Sequence, residues 1–196
     1  MMMFFKQFGG KVKPEHLAIY EQSENWQNGH FQNLEDTKIS VGISKIPSVI
    51  YKQLTSQKGK EPEQPLPILP FDQSAFLAPS GSAKFIWYGH AAILMRVNNK
   101  TILIDPMLGS DTTPIAPMAT KRFSENTLDL IDEFPAIDLI VFTHDHYDHL
   151  DYDSIQQLKS KTKQYFVALG VKRHLVSWGV AADSIQEFDW WESQDF

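Results

Sequence analysis

The sequence predicts an α/β fold, and three observations carry that reading. Beyond Lys84, short runs rich in β-branched and aromatic residues alternate with segments of helical character, the order that builds a sheet flanked by helices. One run, Asp138 through Thr143, is almost continuously apolar, as a strand buried on both faces requires. A cluster of His and Asp follows that run at once, and open α/β sheets place their ligands at the carboxyl ends of their strands.

Residues 1–80 read as a polar, turn-rich extension or wrapping segment and 81–196 as the sheet-bearing domain. Pro14 opens a short helix through Tyr20, because proline is favoured in a first turn; Asn28-Gly29 follows, and a second helix is expected around Val49 to Leu54. Four prolines between Pro62 and Pro70 fix the backbone and remove donors, which makes that stretch an extended arm. Phe85 to Tyr88, Ile93 to Val97 and Thr101 to Ile104 are three short strands, the last two joined by a hairpin turn at Asn98-Asn99. Asp105-Pro106 closes this group and begins a Pro/Ser/Thr-rich stretch to Ser124, long enough to be a functional loop. A helix over Asn126 to Phe134, capped by Ser124 or Asn126, precedes the apolar strand. Asp153 with Gln156 resembles a capping box for a helix over Ser154 to Lys161. Tyr165 to Leu169 is the next strand, and a helix over Val171 to Trp178 is stopped by Gly179.

Composition narrows the chemistry. The 196 residues hold 18 basic and 24 acidic side chains, a net charge of −6, 42% hydrophobic and 21% charged residues. Such a chain buries a core, which excludes wholesale disorder and fibrous repeats. A net acidic chain offers no global field for polyanions, so no nucleic-acid partner is expected. With seven His and no Cys, any metal must be held by imidazole and carboxylate, which suits zinc, manganese or iron. Met1 to Phe5 is too short for a signal peptide's hydrophobic region, and no window approaches a membrane span. A cytoplasmic protein, peripheral at a membrane at most, is the expectation.

The constellation that carries chemistry is His144-Asp145-His146-Tyr147-Asp148-His149. In an extended segment His144 and His146 point to one side, so two imidazoles converge on one ion. Asp148 and His149, at the turn beyond, serve a second ion in the manner of two-metal hydrolases.

This His-x-His-x-Asp-His pattern, with Gly89-His90-Ala91 and Ile102-Leu103-Ile104-Asp105-Pro106 upstream, resembles the metallo-β-lactamase superfamily. The wider text is similar to the N-acylphosphatidylethanolamine-hydrolysing phospholipase D family and its bacterial relatives: Trp87-Tyr88-Gly89-His90-Ala91, Lys121-Arg122-Phe123, His144 through Tyr152, and Phe188-Asp189-Trp190-Trp191-Glu192. The resemblance covers roughly 84–192, with a looser match at Phe8-Gly9-Gly10-Lys11. It implies an αββα sandwich of two mixed sheets between helices, with a dinuclear zinc centre. It places His144 and His146 on the first ion and Asp148 and His149 on the second, the latter two as the catalytic pair, with a bridging hydroxide attacking a phosphodiester. Family members add a third His, a bridging Asp and a fourth His downstream of the Trp-Trp-Glu segment. This chain ends at Phe196, so the expectation is the N-terminal half of such a domain behind a Pro-rich extension. A lactonase of the same superfamily and a noncatalytic half-domain acting as an assembly partner are the alternative readings. The expected partners are a small-molecule or phospholipid-like substrate, a membrane surface and a second copy of the chain.

Lesser candidates surround the motif. His90, after a strand and a Gly, is a candidate supporting donor against a purely structural histidine, and Asp105 a candidate to orient a metal-binding His through its other ring nitrogen. Lys121 and Arg122 are weighed as phosphate binders against solvated surface. His174 reads as packing or surface. Trp190 and Trp191 read as core and rim rather than acyl contacts, and Met1 to Phe5 as a frayed terminus rather than a bilayer contact.

Overall fold

The protein is described here by a computed structural model covering residues 6–35, 45–55, 59, 61–112 and 121–196. A turn of 3-10 helix (Lys6–Phe8) leads to α1 (Pro14–Tyr20), the ribbon β1 (Trp26–Gln27) and β2 (His30–Phe31), and helices α2 (Ile46–Thr55) and α3 (Gln73–Leu77). Strands β3 (Lys84–Trp87), β4 (Ile93–Val97) and β5 (Lys100–Ile104) come next. Beyond a 3-10 turn (Thr127–Asp129), α4 (Leu130–Glu133), β6 (Ile137–Phe142), α5 (Tyr152–Leu158), β7 (Thr162–Ala168), α6 (Lys172–Ser177) and β8 (Ile185–Phe188) alternate to the end.

Strands β3 to β8 lie side by side in chain order as one six-stranded sheet. β3, β4 and β5 pair antiparallel, and β5 through β8 pair parallel. The change of direction follows from the connections. Asn98 and Asn99 both take positive φ, +47° and +61°, the two left-handed residues of a tight hairpin, whereas α5 and α6 are crossovers that return the chain to the same sheet end.

Register separates the two faces. One row across the sheet, Ile86, Leu94, Leu103, Ile140, Tyr165 and Ile185, is buried apart from its half-buried first member and packs with Ile131, Ile155, Leu158 and Leu175 in the core. The next row, Trp87, Ile93, Ile104, Val141, Phe166 and Gln186, contains no buried residue. Phe85 and Trp87 on that side are 71% and 67% exposed. The carboxyl-terminal residues cross this open face, with the Phe196 ring 5.9 Å from that of Phe166 and the Lys100 ammonium 4.6 Å above it. The sandwich implied by the resemblance sets a second sheet on this side; among the described residues there are the six-stranded sheet and the small β1–β2 ribbon.

Several local expectations need correction. The segment 126–134 is a 3-10 turn and a short helix, and Asn126, at φ +55°, makes no side-chain cap. α5 begins at Tyr152 and is capped by Asp151, whose carboxylate accepts from the Ser154 N–H at 3.0 Å and also from the Gly109 N–H at 3.0 Å. Asp151 wins over Asp153 because it ties the helix to the loop after β5 as well as filling the first turn. Burial of Asp151 raises its pKa above the ordinary value. Strand β8 and helix α3, capped by Asp72 accepting from the Ala75 N–H at 2.9 Å, went unforeseen. Leu66 in the Pro-rich arm donates its N–H to the Phe123 carbonyl at 2.7 Å, so this part of the arm is pinned to the loop it crosses.

The amino-terminal arm lies on α6. The Trp178 indole donates to the Lys6 carbonyl at 2.8 Å and the Arg173 Nε to the Gly10 carbonyl at 3.2 Å. A Cβ on Gly9, where φ is +63°, would stand 2.0 Å from His174 Nδ1, and one on Gly10 would stand 2.3 Å from the Arg173 carbonyl oxygen. Only glycine permits this approach. Met1 to Phe5 and residues 113–120 of the loop before Ser124 lie outside the described residues.

Candidate metal centre

β5 and β6 run parallel and end together, which brings the residue after β5 against the segment after β6. That residue, Asp105, is 2% exposed and has φ +40°. Its carboxylate accepts three hydrogen bonds: from the Thr143 N–H at 2.8 Å, the Thr143 hydroxyl at 2.6 Å and His149 Nδ1 at 2.9 Å. A buried carboxylate needs such partners, and its demands set the protonation of what surrounds it. His149 carries its proton on Nδ1 and leaves Nε2 with a lone pair. Thr143 spends its hydroxyl proton on Asp105, so its oxygen accepts from His144 Nδ1 at 2.9 Å. His144 therefore also presents a bare Nε2, and one carboxylate orients two imidazoles, as metal-binding histidines require.

The segment after β6 gathers the four motif residues. The His144 ring lies 4.6 Å from that of His146 and 3.9 Å from that of His149. Asp148 Oδ2 stands 3.7 Å from His149 Nε2. Desolvation, then the neighbouring His149 and His146, lower the pKa of His144 and keep the ring neutral. For Asp148 desolvation alone pushes upward, but a backbone hydrogen bond and the nearby His149 and His90 together hold its pKa below the ordinary value. Neutral imidazole and ionised carboxylate are the ligand states of both groups. Two rings with directed lone pairs, the His146 ring beside that of His144, a carboxylate and no thiol make a donor set that fits a borderline divalent ion such as zinc.

Of the other candidates, His90 joins the motif residues and the rest fall elsewhere. His90 Nε2 lies 2.9 Å from Asp148 Oδ2, and ligand atoms of His90, Asp148 and His149 all lie within 4.8 Å of one another. The sequence offered only the Gly-His turn after a strand as a sign of this. The Arg122 guanidinium donates to the carbonyls of Tyr88 and Met107, and its burial lowers its pKa. It is a clasp between the β3 end and the loop after β5, its Nη groups directed at main-chain carbonyls. His174 is packed beneath the arm, and Trp190 and Trp191 are exposed. Next to His90 opens a cleft of about 610 Å³, lined by Leu66, Ile68, Leu69, Trp87, Tyr88 and Met107, with Lys121 at its rim.

Comparison with known proteins adds to this geometry. Residues 100–196 match the beta-lactamase superfamily domain. The chain is 30% identical over 178 residues to an uncharacterized protein of Mycobacterium tuberculosis (strain ATCC 25618 / H37Rv), a match covering 90% of this chain and 47% of that one. It is 31% identical over 115 residues to N-acyl-phosphatidylethanolamine-hydrolyzing phospholipase D 1 of Caenorhabditis elegans, covering 56% of this chain and 32% of that one. It is 42% identical over 77 residues to a UPF0173 metal-dependent hydrolase of Sulfolobus acidocaldarius, covering 39% and 28%. The chain thus spans about half the length, or less, of these relatives.

Proposed function

Because this chain belongs, over residues 100–196, to the metallo-β-lactamase superfamily, we propose that it is a zinc-dependent hydrolase of the phospholipase D type, acting on the phosphodiester of a phospholipid-like substrate. The observation that carries the hydrolase reading is the Asp105 carboxylate holding His149 directly and His144 through Thr143. In this reading His144 and His146 hold one ion and Asp148 and His149 the other. Zinc bound there supplies Lewis acidity, lowering the pKa of a bound water to about 7 and polarising a phosphoryl oxygen.

The chain's own residues do the remaining work. Asp105 and Thr143 keep both imidazoles in the tautomer that offers Nε2, and the ionised Asp148 supplies negative charge to offset that of the ions. The cleft beside His90 takes an apolar tail and excludes water from it, which places a polar head at the motif. The name of the 31% identical relative and the apolar lining of this cleft support the choice of a phospholipid-like substrate. No helix among the described residues is long and apolar enough to cross a membrane; in this reading a lipid substrate is met by peripheral contact.

Elemental analysis of the purified chain tests the reading, with about two zinc ions per chain expected of a dinuclear centre. A generic phosphodiester and a lactone assayed side by side separate the two chemistries. Phosphodiester turnover lost on His144→Ala or Asp148→Ala supports the assignment, whereas turnover of the lactone alone would refute the phosphodiester reading. A chain that binds less than about half an equivalent of zinc and turns over neither substrate is a binding or assembly module, not an enzyme.

A further inference from the structure

We propose that His90 is a positioning residue for the metal centre, donating from Nε2 to Asp148 Oδ2 and so fixing the carboxylate of the second ion's ligand pair. The inference rests on the metal-centre reading above and goes beyond the His-x-His-x-Asp-His motif. Asp105 serves His149 and, through Thr143, His144; that network makes no hydrogen bond to Asp148, whose Oδ2 stands 3.7 Å from His149 Nε2. The hydrogen bond from His90, at 2.9 Å across 58 residues of sequence, fills this role. An ionised carboxylate is an acceptor only, so the nitrogen facing it carries the proton, and a protonated nitrogen is a donor to Asp148 rather than a ligand.

The turn that carries His90 is built to aim it. Gly89 and His90 both adopt left-handed backbone, φ +86° and +47°, a conformation that side chains other than glycine adopt at a cost. The turn is braced on three sides: the Trp87 indole donates to the His90 carbonyl at 2.8 Å, Tyr88 N–H to the Ala92 carbonyl at 2.8 Å, and the Arg122 guanidinium to the Tyr88 carbonyl. The ring then lies 5.1 Å from that of His149 in edge-to-face orientation. A glycine at position 90 would suit this backbone better. The histidine earns its place through its side chain, which is 45% exposed and contributes little to the core.

The test is zinc titration of the wild-type chain, His90→Gly and His90→Gln, each against a chromophoric chelator, with the melting temperature of the metal-free proteins read in parallel. His90→Gly is expected to melt no lower than wild type, because it relieves the backbone, yet to bind the second zinc 10- to 100-fold more weakly while the first is unchanged. His90→Gln, which keeps a donor, is expected to recover most of that affinity. Equal affinity of wild type and His90→Gly for both ions would overturn the proposal, as would a melting temperature that falls with no change in affinity. X-ray absorption showing one imidazole fewer around zinc in His90→Gly would make His90 a ligand and overturn it too. A wild-type chain that binds no zinc would instead overturn the metal-centre reading itself, and this inference with it.

Discussion

Replacing Asp105 by Asn changes one oxygen for an amide group at nearly constant volume. In the native site the carboxylate accepts from the Thr143 N–H, the Thr143 hydroxyl and His149 Nδ1 at 2.8, 2.6 and 2.9 Å. Asparagine offers one acceptor oxygen and one donor amide. With its oxygen toward Thr143 Oγ1 and His149, the amide faces the Thr143 N–H, donor against donor, and a buried group left unsatisfied costs about 1–3 kcal/mol. With the amide flipped, His149 Nδ1 must accept, its proton moves to Nε2, and the lone pair that the proposed ion would use is gone. The metal-free variant is therefore expected to melt about 4–8 °C lower, taking about 2 kcal/mol and about 2–4 °C per kcal/mol for a chain of this size. Zinc affinity on the Asp148–His149 side is expected to fall by a factor of about 10–100. Calorimetric melting and chelator competition measure the two effects separately. A variant that melts lower but binds both ions as tightly as wild type would refute the tautomer argument, and one unchanged in both would refute the hydrogen-bond assignment.

Two further predictions concern the arm over α6. Burial, then the neighbouring Arg173 charge, bring the pKa of His174 down from 6.5 to about 4, against the pull of Asp145 and a Phe8 backbone hydrogen bond. Since the folded value lies below the unfolded one, the unfolded chain takes up its proton first as pH falls. Stability is complete above pH 6.5, drops between pH 6.5 and about 4, and levels off below, losing about 3 kcal/mol at about 1.36 kcal/mol per unit. Urea unfolding of wild type and His174→Gln across this range should show the extra loss in wild type only; parallel curves would refute it. Gly9→Ala forces a Cβ to 2.0 Å from His174 Nδ1 at φ +63° and should destabilise the chain by about 1–3 kcal/mol. Trypsin should then cut faster after Lys11, and an unchanged cleavage rate and urea midpoint would count against the packed arm.

Where the pattern was local, the sequence was legible. The hairpin at Asn98-Asn99, the helix opened by Pro14 and the buried strand of β6 all lie within a residue or two of expectation, because turn chemistry and apolar runs act over short distances. The cap of α5 lies two residues before the Asp153 that the local pattern suggests, since Asp151 is selected partly by Gly109, which lies 42 positions away. β8 carries too few apolar residues to announce itself and exists because β7 offers it an edge. Arg122 reads in the sequence as a surface base and is a half-buried clasp, for a similar reason: its partners are main-chain carbonyls of distant residues.

The sequence by itself determined the class of fold and the chemistry on offer: imidazole and carboxylate donors without thiols, spaced to converge after a buried strand. Only the tertiary structure decided how those donors are held. Parallel pairing of β5 with β6 sets Asp105 beneath Thr143 and His149, and the β3–β4 turn delivers His90 to Asp148. Hydrogen bonds across such sequence separations leave no periodicity for a pattern to reveal. They follow from which strand ends lie side by side, and that is settled by burying one face of the whole sheet at once.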